Sequence, residues 1–187
     1  MNPKVRQIVI EVLFCVVVTT AAVIITVGFH EEKQKQDKQF IFQHECCYSL
    51  SRINHKLEEV FEGNKRRDLY YIALEFEHLA TLCEDHADWL SLGTENYTPF
   101  REFARFLLGP EGTAYIDLFR AEDASLSEKE IGFLRSLYDY NVKLIRILSQ
   151  EEDVNTLRSM TPDLLKKTIT EAAQELNRLF YINPPVV

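Results

Sequence analysis

The sequence predicts an all-α protein, with an N-terminal transmembrane helix followed by an antiparallel helical bundle of four to six helices. Three observations carry this expectation. Eighteen consecutive uncharged, mostly apolar residues occupy positions 12–29, close to the ~20 that a helix needs to cross the hydrocarbon core of a bilayer. Downstream, apolar residues recur at alternating steps of three and four, the period of a single buried helix face. Gly and Pro number only six each in 187 residues, too few for the frequent turns of an all-β chain. That length leaves room for one anchor and one compact domain. We divide the chain into a tail and signal anchor (1–29), a charged helical stalk (30–45), a bundle domain (46–182) and a C-terminal tail (183–187).

The anchor comes first. Thr19, Thr20 and Thr26 interrupt its hydropathy, but their hydroxyls can return to the helix's own carbonyls without breaking the span. A cleaved signal peptide is the competing reading, since Lys4 and Arg6 form a small basic start; its apolar region would run to only about 7–15 residues. The longer run here favours an uncleaved signal anchor. Lys33, Lys35 and Lys38 on the far side nearly balance Lys4 and Arg6. The absence of acid from the first seven residues tips the expected orientation to N-terminus cytoplasmic, domain outside, in the cell membrane. Glu11 lies one turn inside the apolar run and is expected to sit at the membrane interface. The segment Val9-Ile10-Glu11-Val12-Leu13 resembles the start of a type IV pilin, but Arg6 stands where the processed Gly belongs.

No Pro or Gly occurs from His30 to Glu62, so the anchor can run on as one helix into an amphipathic segment. There Cys46, Leu50, Ile53, Leu57 and Val60 form a stripe that Gly63-Asn64 should end. A second helix from about Arg66 or Arg67 carries Leu69, Ile72, Phe76, Leu79 and Cys83, with Leu90 a heptad further on. The short connection makes the two helices an antiparallel hairpin. Thr98-Pro99 opens a third helix with Phe100, Phe103, Phe106 and Leu107 on its face, and Gly109-Pro110 bends or ends it. The stretch containing Ala114, Tyr115, Leu118 and Phe119 is a further short helix or a resumption of the third. Ser127 with Glu130 forms a capping box for the fourth, flanked by a Leu126–Ile131 staple. Its face is Ile131, Leu134, Tyr138, Ile145 and Leu148, widened by Leu137, Leu144 and Ile147. Thr161-Pro162-Asp163 starts the last helix, with Leu165, Ile169, Ala172, Leu176 and Leu179 inward, and Asn183-Pro184-Pro185 closes it.

The formal net charge is −8, and 19 basic against 28 acidic residues follow Phe29. A phosphate backbone would be repelled, so no nucleic-acid partner is expected, and the Lys65-Arg66-Arg67 run reads as a solvated helix start. Walker, dinucleotide, nucleophile-elbow and His-Glu-x-x-His motifs are absent, and Gly109-Pro110-Glu111-Gly112 is a turn. Glu75-x-x-His78 matches half of a carboxylate di-iron pattern, but no second such pair exists. We therefore expect no catalytic, cofactor-binding or metal residues and no enzyme. Cys46, Cys47 and Cys83 keep three readings open: small core residues, a disulfide from Cys83 to Cys46 or Cys47, or, with His86, a zinc site. Asn96-Tyr97-Thr98 is a glycosylation sequon by pattern, and the aromatic clusters Tyr70-Tyr71 and 100–106 read as core.

In layout and capping the chain resembles the N-terminal region of the YpeB family of spore-germination accessory proteins. Residues 48–57, 73–90, 100–107 and 126–148 carry the likeness, including Tyr48, the Phe-rich third helix and the Leu126-Ser127-Glu128 start, across about residues 8–150. Arg105-Phe106 stands where the family tends to carry a Gly-Asp pair before an aromatic, and the C-terminal PepSY-type repeats of the family do not follow. The resemblance implies a helical, extracytoplasmic, membrane-tethered partner-binding module of a sporulating bacterium. The expected function is a single-pass interaction or scaffold module with a protein partner; the alternative is a helical sensor ectodomain that binds a ligand between its helices.

Overall fold

A computed structural model of the protein describes residues 3–63, 69–108, 125–149 and 160–182, with side chains for residues 13–179 within those ranges other than residue 108. Among the described residues there are six helices and no strands. They are α1 (Pro3–Gly63), α2 (Leu69–Asp85), α3 (Ala87–Leu90), α4 (Thr98–Leu108), α5 (Glu128–Ser149) and α6 (Pro162–Ile182), with one 3₁₀ turn at Thr94–Asn96. Contacts divide the chain into two compact units, Met1–Gln39 and Phe40–Val187.

The first unit is a single helical segment of α1, and it is long and apolar enough to cross a membrane. One of its windows has a mean hydropathy of 2.2, and none of that window is buried within the protein. Leu13, Phe14, Val17, Ile24 and Phe29 all lie exposed, an arrangement that water penalises and lipid does not. Thr20 and Thr26 donate to the carbonyls of Val16 and Ala22 at 2.8 Å, and Thr19 donates to Cys15. The hydroxyls are thus satisfied within the helix, as a span in hydrocarbon requires. Residues 31–38 follow as helix with every side chain exposed.

The second unit is a helical bundle. The stripes read from the sequence for α1, α2, α4 and α6 lie in its core, whereas α5 buries Phe133, Leu134, Leu137, Tyr140, Leu144 and Leu148 and leaves Ile131, Tyr138 and Ile145 of the expected face only partly buried. Leu50, Ile53, Leu57 and Val60 of α1, Leu69, Ile72 and Phe76 of α2, and Phe103 and Leu107 of α4 are at most 1% exposed. The pairing of α1 with α2 is antiparallel. Cys46 meets Cys83, Arg52 bonds Glu75 at 2.8 Å, and Lys56 lies over the Tyr71 ring, so moving forward along α1 moves back along α2. The same holds for α1 and α5, where Gln43 bonds the Leu148 carbonyl and Glu58 accepts from Tyr138 at 2.8 Å. Helix α4 packs chiefly on α2, through Phe103 against Phe76 at 4.7 Å between ring centroids. On the rim, Arg101 bridges Glu77 and Glu84 at 2.9 and 2.7 Å, and these carboxylates, Glu84 foremost, hold its guanidinium above its ordinary pKa. Helix α6 closes the bundle against α4 and α5, and the buried Tyr140 hydroxyl donates to the Ala172 carbonyl at 2.9 Å.

The helix ends follow their local signals. Ser127 and Glu130 exchange bonds in both directions, Ser127 N–H to Glu130 Oε2 at 2.7 Å and Glu130 N–H to Ser127 Oγ at 3.3 Å, the reciprocal capping box expected. At α6, Thr161 Oγ1 accepts from Leu164 N–H at 3.4 Å. Two features depart from the sequence reading. The second helix does not run through Leu90: it ends at Asp85, and after His86, whose backbone is non-helical (φ −106°, ψ 4°), α3 forms a separate short turn. Ser91 then caps α3 with φ 51° in the left-handed region. Also, the buried face of α1 begins before Cys46, with Phe42 and Gln43 both at 0% exposure. The basic run Lys65-Arg66-Arg67, the Gly109-Pro110 turn and the apolar residues 114–119 lie outside the described residues.

Candidate functional site

The three core-facing cysteines form one group. Cys46 and Cys83 are 1% exposed and Cys47 is fully buried; all are free thiols. Periodicity places Cys46 and Cys83 on the facing stripes of α1 and α2, and their side chains are hydrogen-bond partners. Burial, then the neighbouring Cys83 and Cys47 sulfurs, pushes Cys46 well above the ordinary thiol pKa. Burial alone pushes Cys47 up to about 12. Of the two partners that the sequence leaves open for Cys83, contact singles out Cys46. Cys15, on the apolar segment, is exposed.

The other residues marked by the sequence are placed as follows. The Glu75 carboxylate is paired with Arg52, while His78 is exposed. His86 packs against Phe42 at 5.0 Å and Trp89 at 6.0 Å, and its Nδ1 lies 3.0 Å from the Leu82 carbonyl. Among the described residues no group of three His, Cys, Asp or Glu side chains is arranged to hold a metal ion. Asn96 is only 4% exposed, and its amide nitrogen is turned to the Gly93 carbonyl at 3.2 Å and the Glu95 carboxylate at 3.3 Å. The sequon thus forms part of a closed 3₁₀ turn. The side chain of Glu11 lies outside the described residues.

An exposed aromatic face on the α1–α2 hairpin is the feature that the sequence reading missed. Phe40, His44, Tyr48 and Arg52 follow one another at single helical turns along α1. Phe40 and His44 stack at 6.3 Å, His44 and Tyr48 stack at 6.4 Å with rings 8° from parallel, and the Arg52 guanidinium lies 4.7 Å over Tyr48. Arg52 reaches Glu75 on α2, and one turn on, Lys56 sits 5.4 Å over Tyr71, which meets Tyr70 at 5.8 Å. Tyr48, Tyr70 and Tyr71 are 50, 48 and 44% exposed, and Phe40 and Leu74 are 42% exposed. The expectation that Tyr70-Tyr71 belongs to the core is therefore corrected: the stripe Leu69, Ile72, Phe76 already fills the inward face and turns both tyrosines outward. The aromatics of α4 do lie in the core, with Phe100, Phe103 and Phe106 at 2, 1 and 4%. The fourfold spacing of Phe40, His44, Tyr48 and Arg52 was the available signal.

Two open grooves lie on the bundle among the described residues. One, of about 250 Å³, runs between α5 and α6 over Tyr140, Leu144 and Ala172, with Lys143, Ile147 and Arg178 at its edges. Ile147, which the sequence reading placed in a widened buried face, is instead 43% exposed there. The other, of about 260 Å³, separates α1 from α5 beside Asn54, His55 and Arg146. Ser51 and Glu58 line the second groove as well, and the His55 ring lies 4.0 Å from the Glu58 carboxylate and 3.4 Å from that of Glu59.

No protein-family model, curated protein or solved structure significantly matches this chain.

Proposed function

We propose that this protein is a non-enzymatic, single-pass membrane module that holds a helical bundle on the extracytoplasmic face of the cell membrane and binds a protein partner there. The exposed aromatic face carries the reading. Tyrosine and arginine are the residue types that dominate binding energy at protein interfaces, and here they form a continuous row with Phe40, Leu74 and Lys56. Because the stacked rings and ion pairs already hold these side chains, little side-chain entropy remains to be lost on docking. Tethering restricts such a module to two dimensions and raises its effective concentration for a membrane or wall partner. Lys4 and Arg6, with no acid beside them, support a cytoplasmic N-terminus. The resemblance in layout to the N-terminal region of the YpeB family supports a sporulation or germination setting.

Site-specific photocrosslinkers at Tyr48 and Tyr71 in membranes of the native cell test the reading. A defined adduct that Tyr48→Ser or Tyr71→Ser weakens by at least about tenfold, the ~1.4 kcal/mol loss of one anchoring side chain, supports it. Adducts no stronger than those from an exposed position on α6 outside either groove, such as Lys167, reject this face. Alkaline phosphatase and green fluorescent reporters fused to the C-terminus test the orientation, and an active fluorescent fusion alone reverses it. The ligand-sensing alternative draws on the α5–α6 groove, whose apolar floor is rimmed by charges of both signs, Lys143 and Arg178 with Glu171 and Glu175.

A further inference from the structure

We propose that Cys46 and Cys83 become joined by a disulfide bond that ties α1 to α2, the donor being a disulfide of the extracytoplasmic thiol-exchange machinery. That source of oxidant rests on the outward orientation proposed above; the pairing does not.

The antiparallel register selects the pair. The Arg52–Glu75 bond and the Lys56–Tyr71 contact make the two helices antiparallel neighbours, and counting back along the buried stripe of α1 from Val60 while counting forward along that of α2 from Leu69 brings Cys46 and Cys83 to corresponding positions. Cys47 lies about 100° further round α1. It is buried as well, but only Cys46 is the hydrogen-bond partner of the Cys83 thiol. Two interacting thiols on facing stripes of separate helices, each 1% exposed, stand where a single bond would tie α1 to α2.

The exchange balances without any further reagent. The thiolate of one cysteine, its proton released to solvent, attacks a donor sulfur; a mixed disulfide forms and one donor thiolate leaves. The second cysteine, as its thiolate, attacks the chain-side sulfur of that mixed disulfide. The Cys46 Sγ–Cys83 Sγ bond forms, the donor's second thiolate leaves, and two protons return to the donor sulfurs. Two electrons have passed from the chain to the donor. Burial disfavours the thiolates of the folded protein, so exchange belongs to the folding stage, before the hairpin closes. Once formed, the bond is shielded from reductants by the same burial.

The test uses the full chain in detergent micelles, unfolded in urea and refolded in a mixture of reduced glutathione and glutathione disulfide. Acid quenching, alkylation, digestion and mass spectrometry then locate the linkage. The expected product has Cys46 joined to Cys83, with Cys15 and Cys47 alkylated. The link persists in Cys47→Ala and disappears in Cys46→Ala, and the linked chain melts roughly 5–15 °C above the reduced one. Alkylation of all four cysteines in the refolded wild type, or a bond from Cys83 to Cys47, overturns the pairing, and the wild-type result stands even where a variant folds poorly. The same mapping on acid-quenched native cells separates the two ideas. A chain that links on refolding but carries both thiols free in cells overturns the outward orientation and the proposed donor while leaving the pairing intact.

Discussion

Replacing Gln43 with leucine should cost this bundle about as much as truncating a large core side chain, although the new residue is apolar and leaves no large cavity. Gln43 is fully buried, and its amide works in both directions: Nε2 donates to the Leu148 carbonyl in the last turn of α5, and Oε1 accepts from the Met160 N–H at 3.0 Å just before α6. Both backbone groups need an outside partner. The last four carbonyls of a helix have no intrahelical donor, and Met160 lies in the core at 2% exposure. Each net hydrogen bond contributes about 1 kcal/mol, and stranding a buried backbone group costs about 1–3 kcal/mol more. The extra apolar surface of leucine offsets part of this, which leaves a net loss of about 3 kcal/mol. For a chain of this size that is a fall of roughly 6–12 °C in Tm. Circular dichroism melts of the full chain in detergent measure it, with exposed Gln174→Leu as the control. A Gln43→Leu protein that melts within about 2 °C of wild type would refute the bridging role, since that is less than one net hydrogen bond.

Three further outcomes are expected. Ser91 caps α3 with φ 51°, where an L side chain is strained and glycine is not, so Ser91→Gly should raise stability by about 0.5–1 kcal/mol in denaturant titration. Phe103 packs against Phe76 at 4.7 Å and against Phe106 and Phe133 at 6.0 Å each; Phe103→Ala should lose about 3–5 kcal/mol by the same titration, and a loss under 1 kcal/mol would mean that the cluster is not packed this way. The reduced protein should weaken in alkali. The Cys47 thiol titrates near 9 when exposed and near 12 when buried, so the folded state retains its proton while the unfolded state loses it. Stability is therefore full below pH 9 and falls as pH rises from 9 toward 12. Cys47→Ala should reduce that slope in urea titrations across the range, leaving the part that the buried Cys46 thiol contributes.

Local rules made much of this fold legible. Step patterns identified the inward faces of α1, α2, α4 and α6, because a helix at this period can bury only one stripe. The Ser127–Glu130 box and the Thr161-Pro162 start were readable because capping is a matter of neighbouring atoms. The sequence reading failed where a residue's fate depends on what faces it. Tyr70 and Tyr71 resemble core residues until Leu69 and Ile72 take the inward positions beside them. Ile147 resembles part of a wide buried face until α6 covers only one side of α5. The break between α2 and α3 left no Gly or Pro to announce it.

The sequence by itself determined the apolar length of the first helix, the helical class, the acidic surface and most helix boundaries, since each is set by composition or by residues within a turn or two of one another. The tertiary structure decided which thiol meets Cys83, which aromatics remain outside and where Gln43 finds its partners. Those outcomes depend on the register and facing of helices far apart in the chain, and no local period encodes them.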